Sequence, residues 1–150
     1  MNEEDKKRLK AELCRRLPYG PKGTVRVKIH GGSREQDTTE LRVKLVGVNT
    51  DSGRIEVVSA DPAHPDCDIS NTALAFEDFV PILRPMSSRT EEEKEHLQSL
   101  QDIITDENYG DSFSPAAWHT IAEWNTYCDE RHLDWTGLIG RELATTEQNT

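Results

Sequence analysis

The spacing of apolar residues changes period along this chain, and each change marks an element. From Glu3 to Leu17 the apolar positions Leu9, Leu13, Cys14 and Leu17 keep a helical spacing, and Pro18, Tyr19, Gly20 and Pro21 end it. Proline lacks the amide a helix needs and clashes with the preceding turn, so a short amphipathic opening helix is predicted. After Gly23 the period becomes two: Val25, Val27 and Ile29 alternate with Arg26, Lys28 and His30. That is the pattern of a strand with one buried face. Leu41, Val43 and Leu45 alternate with Arg42 and Lys44, and a third run, Arg54 to Ser59, follows the turn residues Asn49 to Gly53. Turn residues between two such runs predict an antiparallel hairpin. Thr72 to Phe76 offers a fourth strand.

The back half returns to helical spacing. Glu77 to Leu83 gives one helical turn before Pro85. Thr90 and Glu93 stand in the capping-box relation, acids fill the first turn, and Leu97, Leu100 and Ile104 form a stripe. A second helix opens at Ser114-Pro115, with Phe113 placed to staple onto Trp118. Its expected apolar face is Trp118, Ile121, Ala122 and Cys128, widened by Trp124 and Tyr127. Trp135 to Leu143 is expected to dock as a short helix, and Thr145 to Thr150 to fray.

These elements predict an α+β fold: an N-terminal helix, a small antiparallel sheet of three or four strands, with barrel-like closure as a variant, then two helices and a short C-terminal helical segment. The two helices and the tail are expected to cover one face of the sheet. A chain of 150 residues reads as a single domain, 1–150, with a β-rich half over 1–80 and a helical half over 81–150. No apolar run approaches the length of a membrane span, and Met1 to Leu17 is dense in charge, so a cytoplasmic, non-membrane protein is expected. Cys14, Cys67 and Cys128 are an odd, scattered set, which fits reduced thiols.

Charge sharpens the division. Residues 1–60 hold 13 Lys+Arg and 9 Asp+Glu, and 61–150 hold 5 and 19, within a total of -10. A basic front and an acidic back point to complementary faces or to two kinds of partner.

Leu83-Arg84-Pro85-Met86-Ser87-Ser88 followed by Thr90-Glu91-Glu92-Glu93, the stretch His132-Leu133-Asp134-Trp135 with Gly137-Leu138-Ile139, and the opening Cys14 to Gly20 resemble segments of small uncharacterised proteins of Bacteroides-group phages and mobile elements. The chain departs from that pattern at Arg89, where methionine is expected. The resemblance implies a bacterial cytoplasmic setting and attaches no activity, cofactor or catalytic residue.

Three chemistries compete for the remaining signals. A zinc site would join His64 and Cys67 with Cys128 and His132, the latter pair one helical turn apart. However, the pairs lie far apart, no Cys-x-x-Cys knuckle occurs, and a chain able to build a core does not need the ion. No nucleophile elbow, phosphate loop or dinucleotide fingerprint is present, and Asp129 follows Cys128 too closely to orient His132 behind it, so no catalytic residue and no cofactor are assigned. A zinc-dependent enzyme ranks third. Arg26, Lys28, Arg42 and Lys44 share one sheet face if their strands are neighbours, and such a face contacts phosphates, yet no aromatic ring stands among them for base stacking. The favoured expectation is a non-enzymatic accessory protein that binds a host or phage protein through its acidic helical half. Trp124, Trp135 and Tyr127 are its expected contact residues and Trp118 belongs to its core. Nucleic-acid binding through the basic face is the alternative.

Overall fold

The computed structural model describes residues 1–28, 38–60, 74–106, 108–109, 112–113 and 115–147. Helix α1 spans Glu3–Arg16; Asn2 Oδ1 accepts the Asp5 amide at 2.7 Å, acids occupy the first turn and Arg15 and Arg16 the last. This arrangement satisfies a free amide and matches the helix dipole at both ends. A 3-10 turn over Leu17–Tyr19 carries the chain to Gly20, whose φ of 62 closes it.

Strands β1 (Lys22–Lys28), β2 (Thr38–Val48), β3 (Ile55–Ser59) and β4 (Val80–Pro81) form one antiparallel sheet in the order β3-β2-β1-β4. Asn49 Oδ1 accepts the amides of Asp51 and Ser52 and Gly53 takes a φ of 73, so the expected hairpin between β2 and β3 is present. The sheet is open, not barrel-like. The fourth strand of the sheet is Val80–Pro81 beside β1. Of the expected Thr72 to Phe76, the Leu74 carbonyl accepts the Ile55 amide at 3.0 Å and Ala75 makes one bridge to Arg54, while 72–73 lie outside the described residues. The expected helical turn before Pro85 is a 3-10 turn at Phe76–Asp78.

Val25, Leu41, Val43 and Leu45 on the inner sheet face pack with Leu9 and Leu13 of α1 and with Ile55, Leu74, Phe76 and Phe79. The opening helix thus supplies apolar cover for this core.

The chain divides into two compact units, Met1–Ile82 with Leu138–Thr150, and Leu83–Gly137. The second unit holds α2 (Glu91–Asp106), a two-residue pairing of β5 (Asn108–Tyr109) with β6 (Ser112–Phe113), and α3 (Pro115–Glu130). The predicted box caps α2: the Thr90 amide donates to Glu93 Oε1 at 2.9 Å and the Glu93 amide to Thr90 Oγ1 at 3.1 Å. Leu97, Leu100 and Ile104 are buried as its stripe.

Residues 135–143 form successive turns, with Gly137 and Glu142 at positive φ, in place of the expected short helix. Of the segment expected to fray, Thr145 is tied down, since its amide donates to the Pro81 carbonyl at 2.9 Å and it bridges Ile82 in parallel; 148–150 lie outside the described residues. The Phe113 side chain lies outside the described residues.

Candidate functional site

In the second unit the buried stripe of α3 is Ala117, Thr120, Cys128 and Asp129. Trp118, expected in the core, is instead 60% exposed, and Ala122 is exposed as well. The face is rotated because small residues line the side of α3 that is buried, while α2 and α3 pack on one another. Hydropathy weights the large Trp118 over Ala117 and Thr120, whereas close helix packing favours the small ones.

Trp124, Tyr127 and Trp135 are half-buried against Leu97, Cys128 and Leu133. Trp124 and Trp135 meet edge to face at 5.7 Å, and Trp135 Nε1 donates to the buried Asp129 carboxylate at 2.8 Å. The Tyr127 ring stacks with His96 at 4.3 Å, and the Arg131 guanidinium sits 3.6 Å from the ring centre. Arg131 also approaches Glu93, the acceptor of two Arg84 bonds. Each of the three rings is therefore held by contacts within its own unit and is only partly exposed.

Around them the outward side of α2 presents exposed Glu91, Glu92, Glu95, Asp102 and Asp106. Residues 83–137 carry twelve Asp+Glu and four Lys+Arg. Among the described residues of this unit, Trp118 is the most exposed large apolar side chain, with exposed His119, Ala122 and Glu123 near it on α3.

The metal candidates are not brought together among the described residues. Cys128 is fully buried, and His132 lies beyond the end of α3 with a φ of 57, so the two do not share a helical face. His64 and Cys67 lie outside the described residues, and among the described ones no three His, Cys, Asp or Glu converge.

In the first unit the strand register places Lys22 opposite Lys44, Thr24 opposite Arg42 and Arg26 opposite Glu40. Lys22, Arg26 and Lys44 are exposed and Arg42 is half-buried, all on the outer sheet face; Lys28 holds the next place in the alternation, opposite Thr38. The sequence reading missed Lys22, which lies ahead of Gly23, although its two-residue spacing from Thr24 and Arg26 carries the signal. It also missed Glu147, whose carboxylate pairs with Arg42. That hydrogen bond, with Arg42 and Lys22 charge behind it, holds the Glu147 carboxyl below the usual carboxylate range.

No family model, curated protein or solved structure matches this chain. No helix among the described residues is long and apolar enough to cross a membrane.

Proposed function

We propose that this chain is a non-enzymatic accessory protein, of a phage or mobile element, that binds a basic surface of another protein through its acidic helical unit, with Trp118 as the anchor. The observation that carries the reading is the 60% exposure of Trp118 on α3 in a unit where acids outnumber bases three to one. Tryptophan is the side chain most enriched among residues that dominate binding energy, and an acidic rim steers and selects a basic partner. Trp124, Tyr127 and Trp135 act as the half-buried platform behind it and offer their exposed edges.

The test is a pull-down with the full chain and its Trp118→Ala variant from a Bacteroides-group extract, with and without nuclease. A discrete protein with a basic surface, retained after nuclease and lost in the variant, supports the proposal. Retention of nucleic acid alone, or of the same protein by both forms, overturns it. Nucleic-acid binding through Arg26, Lys28, Arg42 and Lys44 is the weaker reading, since no aromatic side chain is described among them for bases to stack on.

A further inference from the structure

The outer sheet face of the first unit carries an arrangement that the helical unit does not explain. Lys22 and Lys44 are directly opposite across β1 and β2. Like charges in that relation repel, so the pair is a cost unless an anion lies near them. The Lys44 side chain passes over Gly20, into space that a side chain there would take. Beside it Val46 is 45% exposed and Val58, opposite Lys44 on β3, is 48% exposed.

An anion already reaches this face. Thr145 is bridged to Ile82, just past β4, while Glu147 pairs with Arg42 on β2, and β1 stands between β4 and β2. The Arg42–Glu147 ion pair therefore reaches across β1 on its outer side. The depression beside Thr145 is lined by Glu40, Glu77 and Asp78 as well as Thr24, Arg26 and Val80, so the cationic part of the face is Lys22, Arg42 and Lys44.

We propose that the outer face of the sheet is a docking surface for an extended acidic polypeptide of a partner protein, and that Glu147 is its intramolecular competitor. The chemistry on the page is that of peptide recognition. The resident ligand is a carboxylate carried on a chain segment, within the field of Arg42 and Lys22; Lys44 stands opposite Lys22 as the place for a further carboxylate, and Val46 and Val58 suit aliphatic side chains beside it. Bases would find no ring to stack on among the described side chains of this face.

The experiment measures anisotropy of a labelled peptide of alternating glutamate and valine, and of labelled oligothymidylate of similar length, on the full chain at low and physiological salt. Glu147→Gln should bind the peptide roughly twofold to fivefold tighter than the unsubstituted chain, the range an exposed ion pair supports. Arg42→Gln and Lys44→Gln should lose it while circular dichroism stays unchanged. Equal peptide affinity in Glu147→Gln and the unsubstituted chain, or undiminished binding by the Arg42→Gln Lys44→Gln double variant, overturns the proposal. Preference for oligothymidylate in every form also overturns it and gives the face to nucleic acid.

Discussion

Arg84 and Glu93 meet in a two-point ion pair, with Nη2 to Oε1 at 2.7 Å and Nη1 to Oε2 at 3.0 Å. The same Glu93 Oε1 accepts the Thr90 amide, so one carboxylate both caps α2 and ties it to the residue that enters the unit. A planar guanidinium fits this geometry where lysine would not.

The pair sets an acid limit. The Arg84 hydrogen bonds hold the Glu93 carboxyl down at about 2, against 4.5 for an unperturbed glutamate. A carboxyl whose folded-state value is depressed stabilises the fold fully above the unfolded value and loses that contribution as pH falls through the folded one. Stability from this group should therefore be intact above about pH 5 and fade towards pH 2. Glu93→Gln should cost about 1–2 kcal/mol at neutral pH, because water screens the half-exposed Arg84. The gap between variant and parent should narrow on acidification. Urea unfolding followed by tryptophan emission reads this directly, since Trp118, Trp124 and Trp135 all lie in Leu83–Gly137.

Exposure separates the tryptophans. Trp118→Ala should alter stability by less than about 0.5 kcal/mol, as surface substitutions do. Trp135→Ala should cost about 2–4 kcal/mol, since it removes packing on Leu133 and one hydrogen bond to the buried Asp129 carboxylate. Equal costs in denaturant titrations would contradict this assignment.

Burial makes Glu12 critical to α1. Glu12 and Arg16 are both buried one helical turn apart, and Arg16 Nε donates to Glu12 Oε2 at 3.2 Å. Glu12→Ala should destabilise the chain by about 3–5 kcal/mol, because a buried guanidinium would lose its carboxylate. Glu12→Leu should not rescue it. Thermal unfolding by circular dichroism checks both.

Gly23 faces Phe79 and the backbone of Val80: a Cβ there would lie 2.5 Å from Phe79 Cζ and 2.5 Å from the Val80 carbonyl oxygen. Gly23→Ala should cost about 1–3 kcal/mol by overpacking and should loosen β4, read as faster amide exchange at Ile82, whose amide donates to Lys22.

What the sequence reveals depends on how local the cause is. The Thr90-Glu93 cap, the Asn49 to Gly53 turn and the alternation in β1 and β2 are legible because each is set by residues within a few positions. Val80–Pro81 is not, since a two-residue strand has no period and is positioned by β1. The buried side of α3 is misread for a related reason: Ala117 and Thr120 carry little hydropathy yet pack best where helices approach closely. At the candidate sites, alternation puts Arg26 on one face of its strand and Arg42 with Lys44 on one face of theirs, while the pairing of β1 with β2 that joins those faces is seen only in the fold. The reach of Glu147 to Arg42 spans 105 residues and leaves no local trace.

The bridge between Arg84 and Leu133 carries a further implication. The Arg84 amide donates to the His132 carbonyl at 2.7 Å and the Asp134 amide to the Arg84 carbonyl at 2.8 Å. The entrance and exit of Leu83–Gly137 are thus zipped side by side, as in modules that tolerate insertion into a host fold. The two ends of this unit are thereby fastened to each other by main-chain hydrogen bonds within the unit itself.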